Sequence, residues 1–486
     1  MARVGRFGWR IGGLALVLAL ALATTGCDRG GPAADNGHGT AGPESSAGGG
    51  GDSAPAARST SPARGAARCP LPQLPAPPTN RPQYRMRVTL QPEQKLVTGD
   101  LRVRFTPDVA TDRLVFRLWP NSPYLSRVGA HLQAGPVDSG GRQLPSANPE
   151  PTILEVRPGG TLAAGQAVEV HVPWRLTMPT LLGERLGTLA GTMRLGSFFP
   201  LLSWEPGVGW ATEPPTSGLA EASTSPIADF DVVVTAPPGL DVLASGVERG
   251  GGRWVASAVR DFALSAGHFR TAAGTARAPN PVRVTVGVDA SMPDERPGDY
   301  LSTAVHSLED YSRRFSPYPW PSLTLAITPN LPGGIEYPTH VMQGPGTVRD
   351  ITPHEVGHMW FYSLVGNDQA RDPWLDEGMA TYAEARVDHL TERYQRLTLP
   401  ERVRGRLGEP MTFWDAQQSL YFSGVYAQGA KALLALGGPS VADCVLRVYV
   451  AHEAYLIARP ADLIAAASAI VPDAARILAR FGVHQR

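Results

Sequence analysis

Between Gln83 and Val286 the chain alternates polar and apolar side chains in short runs. Arg85–Leu90 and Asp100–Phe105 show the period of two, and Arg113–Leu118, Val168–Val172, Asp229–Thr235 and Val282–Val286 follow, separated by Gly, Pro and Asn turns. A period of two places one side of a strand in a core and the other in water, so this region predicts an antiparallel β domain. Nothing in it suggests chemistry. After Pro297 the period lengthens: Leu301–Phe315 carries apolar residues at helical spacing, and Leu323–Ile327 reads as a short buried strand. Two helices are predicted at 353–365 and 373–390. Each has a proline at its first position, behind Thr352 and Asp372 as N-caps, and Gly366 is placed to end the first. From about Pro400 the pattern is helical and rich in Ala and Leu, and no internal repeat is found. The class is multidomain α+β.

Composition changes the picture mainly at the N-terminus. The 486 residues carry 44 Lys+Arg and 44 Asp+Glu and are 43% hydrophobic, which excludes a polytopic membrane protein and a basic nucleic-acid binder. Arg3, Arg6 and Arg10 precede an apolar run from Ile11 to Ala23, too short for a membrane-spanning helix of about 20 residues but suited to a secretory signal. The run ends in Thr24-Thr25-Gly26-Cys27, which resembles a bacterial lipobox with Cys27 as the lipidated residue; an ordinary cleaved signal is the alternative. Gly, Ala, Ser and Pro then dominate up to about Arg68, a composition with too little to bury to recover its ordering entropy. The expected organisation is a lipoprotein-type signal peptide at 1–26, a flexible tether at 27–69 and folded regions at 70–286, 287–397 and 398–486. The protein is expected to be exported and anchored to the outer face of a bacterial cell membrane through Cys27. In an exported chain the remaining cysteines, Cys69 and Cys444, are a candidate disulfide, or else two separate thiols.

The candidate chemistry lies in the first of the two helices, at His354-Glu355-Val356-Gly357-His358. At about 100° per residue, residues four apart share a helix face, so both imidazoles can reach one metal ion. Glu355 points aside, near enough to act as general base towards a water at that ion. Thr352-x-x-Glu355 also fits a capping box, which would give Glu355 a purely structural use. A third ligand decides between these readings. Glu377, with eighteen residues between it and His358, lies in Trp374-Leu375-Asp376-Glu377-Gly378, where the second helix can bring it back to complete a His2Glu site for one zinc ion. Glu384, two turns on, is either an outer hydrogen-bond partner or simply solvated.

The H-E-x-x-H, its spacing and Trp-Leu-Asp-Glu-Gly resemble the zinc aminopeptidases related to aminopeptidase N, of the gluzincin clan. Gly333-Gly334-Ile335-Glu336-Tyr337 is similar to that family's Gly-x-Met-Glu-Asn segment, and Tyr426-Ala427-Gln428-Gly429 to its Tyr-x-Lys-Gly, with Tyr421 as a possible second hydroxyl. Phe116–Asn121 and Asp261–Gly267 resemble its N-terminal β-saddle, and Arg314–Trp320 the entry to its thermolysin-like domain.

The resemblance implies a β-saddle, a thermolysin-like zinc peptidase domain and a short C-terminal helical region. It further implies that Glu336 receives the free α-ammonium of a peptide, that the backbone at Gly333 and Gly334 lies along the substrate, and that the Tyr426 hydroxyl stabilises the oxyanion. Peptides with a free N-terminus are then the substrates. Ile335, Tyr337 and Gln428 depart from the family pattern, which is expected to alter substrate fit more than chemistry. Only 109 residues follow Glu377. A C-terminal region shorter than in many relatives implies a more open cleft, so an endopeptidase stays open as the alternative, as does a catalytically silent binding protein on a peptidase scaffold. Oligomeric state and preferred N-terminal residue are not legible.

Overall fold

The alternation in the first folded region becomes a large sheet. In the computed structural model, which describes residues 69–180, 185–216 and 224–485, its main strands are β1 (Gln83–Gln91), β2 (Leu96–Phe105), β3 (Val168–Thr177), β4 (Ala228–Thr235) and β5 (Arg253–Val259). The signal peptide, Cys27 and the tether as far as residue 68 lie outside the described residues. On β1, Tyr84, Met86, Val88 and Leu90 are buried while Arg85 and Arg87 face solvent, as the period of two requires. The order is β5–β4–β1–β2–β3, with shorter strands at both edges. One pairing corrects the all-antiparallel expectation: Gln83–Thr89 runs parallel to Asp229–Thr235. A connection as long as the one between β1 and β4 is free to return in either sense, and alternation within a strand says nothing about its partner's direction.

A second sheet carries the site. It contains β6 (Phe269–Ala278), β7 (Asn280–Asp289), β8 (Ser322–Ile327), β9 (Gly334–Tyr337) and β10 (His340–Gln343), in the order β6–β7–β8–β10–β9. Helix α1 (Pro297–Arg314) bridges β7 and β8. β8 pairs parallel with both β7 and β10 and is buried along its whole length, as a central strand covered on both faces must be. β9, which carries Glu336, is an edge strand paired only to β10. The boundary expected at 286/287 falls inside β7. This sheet begins at Phe269, since β6 pairs with β7 over its full length.

The two helices are shorter than the sequence suggests. The first, α2, spans Ile351–Gly357 with Asp350 at its N-cap and His358 at its C-cap; the second, α3, spans Trp374–Val387 behind Pro373. Neither has a side-chain cap, so Thr352 and Asp372 do not cap them. Thr352 instead takes a hydrogen bond from the Gln343 amide. The first helix stops early because other parts of the molecule claim the backbone beyond it. The buried Arg260 guanidinium donates to the carbonyls of Tyr362, Leu364 and Leu456. Gly366 does not end a helix. It begins a two-residue strand against Ile457–Ala458 and lies where a Cβ would sit 2.2 Å from the Arg260 guanidinium carbon.

Beyond the site come a π-helical turn at Phe422–Ala427 and helices α4 (Gln428–Leu434), α5 (Pro439–Glu453) and α6 (Pro460–Ser468). Cys69 and Cys444 are both disulfide-bonded. Among the described residues no single helix is long and apolar enough to cross a membrane. One apolar core runs from Tyr84 to Val483, so the β-rich region, the second sheet and the helices from Pro70 onwards pack as one unit.

Candidate active site

Three donor atoms converge where α2 and α3 meet. His354 Nε2 lies 3.0 Å from His358 Nε2 and 3.1 Å from Glu377 Oε2, and His358 Nε2 lies 3.3 Å from the same oxygen. A zinc ion with bonds of about 2.0–2.1 Å holds tetrahedral donors about 3.3 Å apart, so the triangle has the size and donor set such an ion requires. The outward nitrogens are also engaged. His358 Nδ1 donates to the Phe361 carbonyl at 3.0 Å, and His354 Nδ1 lies 3.4 Å from Glu384 Oε2. Each arrangement leaves the inward Nε2 lone pair available to a metal. Burial works to raise the Glu377 carboxyl, but the imidazoles of His358 and His354 overcome it and hold the group well below the usual carboxylate range.

Glu355 stands beside this triangle without capping anything. It is buried, and its Oε2 has no hydrogen-bond partner among the described residues. An unpartnered buried carboxylate oxygen is costly unless something outside the protein uses it. Burial pushes this carboxyl up, against the pull of both histidines. Gly334 makes room for it: a Cβ there would sit 2.4 Å from Glu355 Oε1, so the glycine serves the glutamate's space. Gly333 is open, with no atom within 4 Å of where its Cβ would be.

Tyr426 closes the other side. Its hydroxyl donates to Glu377 Oε1 at 2.7 Å, and its ring stacks on His354 with centroids 5.6 Å apart. The π-helical turn delivers it, and two glycines set the depth. A Cβ on Gly429 would lie 2.5 Å from the Gly378 Cα, so α3 and α4 touch backbone to backbone beside Glu377. Tyr421 packs edge-on against Tyr426, and its buried hydroxyl has no partner among the described residues.

Glu336, on the edge strand, is buried with its carboxylate within 4.8 Å of those of Glu355 and the ring of His358. Two further residues here escaped the sequence reading. Gln369, in the loop between α2 and α3, donates through Nε2 to Glu336 Oε1 at 3.3 Å and to Asp376 Oδ2 at 2.8 Å. Gln369 has no sequence signal; Asp376 lay in plain view beside Glu377 but reads as an ordinary first-turn acid.

The three departures from the family pattern turn out to be packing features. Ile335 and Tyr337 point away from Glu336, as neighbours on a strand must, and join a small cluster with Ala263, Leu331 and Met342. The Tyr337 hydroxyl meets Arg185 and Ser197. Gln428 is fully buried and bonds the backbone of Val403, Gly405 and Gly424. These contacts give all three departures a place in the packing of the fold.

Comparison with known proteins agrees with this geometry. Residues 335–417 match the peptidase family M1 domain. Human aminopeptidase B is 31% identical over 113 residues, covering 22% of this chain and 17% of that protein. Leucine aminopeptidase 2 of Aspergillus oryzae is 31% identical over 102 residues, covering 19% and 16%. The chain thus spans about a sixth of the length of these curated relatives. The M1 zinc metallopeptidase of Deinococcus radiodurans superposes over 85% of this chain and 95% of its own, with TM-score 0.61 and 18% identity. A variant of that enzyme solved with a Tyr-Ser-Ala substrate covers 85% and 97%, with TM-score 0.60 and 19% identity. The likeness shows a shared fold, with the β-rich N-terminal region and the helical C-terminal region expected from the sequence.

Proposed function

We propose that this chain is a zinc-dependent, aminopeptidase-like hydrolase that removes N-terminal residues from peptides, exported and held at the outer face of a bacterial cell membrane through Cys27. One observation carries the enzymatic reading: a His354–His358–Glu377 donor triangle of zinc dimensions beside a buried glutamate with an unpartnered oxygen. Aminopeptidase relatives over the matched region, and a structural neighbour bound to a tripeptide substrate, support the substrate class. The anchor rests on Arg3, Arg6, Arg10, the apolar run and Cys27 alone.

Zinc held by the three ligands supplies a Lewis acid that acidifies water and polarises a carbonyl. Glu355 takes the proton of the attacking water on its free Oε2 and returns it to the leaving amine. The Tyr426 hydroxyl, poised on Glu377, turns to donate to the oxygen that gains charge in the transition state. Glu336 holds the substrate's α-ammonium. The open edge of β9 offers backbone donors and acceptors to an extended peptide lying beside it. The buried carboxylates of Glu336 and Asp376 favour a positively charged chain end.

The test is hydrolysis of aminoacyl arylamides and of their N-acetylated counterparts by the purified protein, with metal content measured in parallel. One zinc per chain, cleavage of the free-amine substrates only, loss on chelation, and an inactive but zinc-loaded Glu355→Gln variant are expected. Equal cleavage of blocked peptides would instead show an endopeptidase. A wild type without zinc, or a fully active Glu355→Gln, overturns the proposal.

A further inference from the structure

Glu336 and Asp376 are two buried carboxylates that make no ion pair among the described residues; the basic group beside Glu336 is the His358 ring of the donor triangle, within 4.8 Å. Two such groups in one pocket repel each other and are costly to bury. What lies between them is a neutral amide. Gln369, itself buried, spends the two N–H groups of Nε2 on Glu336 Oε1 and Asp376 Oδ2. The opposite amide orientation would set its carbonyl oxygen against both anions, so the chemistry of the partners dictates the flip. Asp376 is in turn fixed by the Glu377 backbone N–H on Oδ1 at 2.9 Å. A chain of contacts therefore runs from α3 through Asp376 and Gln369 to one oxygen of Glu336, while Glu336 Oε2 accepts no hydrogen bond from the described residues.

We propose that Gln369 is a positioning residue that holds Glu336 Oε1 so that Oε2 is presented to the ammonium group of the substrate. The inference rests on the reading of Glu336 as the amine anchor. An amide suits this task where a cation does not. It satisfies the carboxylates' lone pairs without cancelling their charge, so the pocket stays anionic for an incoming primary ammonium. An arginine or lysine in its place would fill the pocket with the wrong partner. A fixed carboxylate also loses less freedom when the substrate binds. Gln369 touches neither the donor triangle nor Glu355, so its effect belongs in substrate binding rather than in turnover.

The test compares wild type, Gln369→Leu, Gln369→Met, Glu336→Gln and the double variant Glu336→Gln/Gln369→Leu on an aminoacyl arylamide, with zinc content and melting temperature recorded. Loss of a hydrogen bond to a charged group predicts that Gln369→Leu raises KM about tenfold with kcat within about twofold and zinc unchanged. Gln369→Met gives the same split if the leucine variant folds poorly. The double variant should be no worse than Glu336→Gln, because the amide then has nothing left to position. If Glu336→Gln raises KM and both Gln369 variants leave it unchanged, or lower kcat, zinc and melting temperature together, the positioning role is overturned. If Glu336→Gln leaves KM unchanged, or wild type cleaves N-acetylated substrate equally well, the anchor reading itself fails and this inference with it.

Discussion

Among the described residues two histidines each sit between two carboxylates, and only one of them is at a candidate site. On the β-saddle, His171 of β3 places Nε2 2.7 Å from Asp100 and Nδ1 2.8 Å from Asp138. In the second region, His354 places Nε2 3.1 Å from Glu377 and Nδ1 3.4 Å from Glu384. Pair by pair the contacts look alike, and the saddle's are shorter. The difference lies in what surrounds them. The His171 cluster is partly open to water, with Asp100 about half exposed, and neither ring nitrogen has anything left to offer. At His354 a second imidazole nitrogen lies 3.0 Å away, the group is buried, and an unpaired carboxylate oxygen waits beside it. Two lone pairs aimed at one point repel each other, and the arrangement makes sense when a cation sits between them. A histidine between acids is a common surface latch; convergence of unspent donors marks the metal site.

The comparison breaks most sharply on removal of a ring. His358→Ala should lose bound zinc and all hydrolysis above background, whereas His171→Ala should retain both; metal analysis and initial rates decide, and activity loss in the saddle variant would erase the distinction. Next in size is Tyr426→Phe. Removing one oxyanion donor lowers kcat by about 10²–10³ with zinc retained, while an undiminished kcat would reduce the tyrosine to packing on His354. Glu384→Gln, which weakens the outer support of His354, should lower zinc affinity by about 10–100-fold in a chelator competition, and Asp138→Asn should not move it.

The smallest effect sharpens the saddle side. Partial burial pulls His171 down, but hydrogen bonds to Asp138 and Asp100 prevail and raise it above its ordinary value of 6.5. A raised folded value means stability that is fully present below the unfolded value and lost as pH rises through the folded one. Solvent screening keeps the contribution of a cluster partly open to water small. Wild type should therefore melt above His171→Ala at pH 5.5 and converge with it towards pH 9. A gap that widens with rising pH would contradict this assignment.

How much was legible in advance varies with the range of the interactions. The strand runs around Arg85–Leu90 and Asp100–Phe105 were readable because pleating imposes a period of two wherever one face is buried. The candidate ligands were readable because a helix turns four residues into one face, and because eighteen residues allow the return that carries Glu377. Helix ends were not. Thr352 and Gly366 carry the right local signals, yet Gln343 takes the hydroxyl of the first and Arg260 occupies the space beside the second. Long-range partners outcompete caps worth about 1 kcal/mol.

What the chain determined by itself is thus the chemistry available: two imidazoles and a carboxylate able to face one ion, a glutamate beside them, and a run of strands ahead of them. Only the tertiary structure decided which groups are spent and which are free. Gln369 comes from a loop with no periodic or spacing signal, and it bridges Asp376, at a helix start, to Glu336 on an edge strand of a different part of the fold. Glu384 was equally consistent with solvent until burial placed it behind His354. Local physics acts through sequence neighbours and repeats with a period. Convergence and desolvation act between residues the chain keeps far apart, and no period records them.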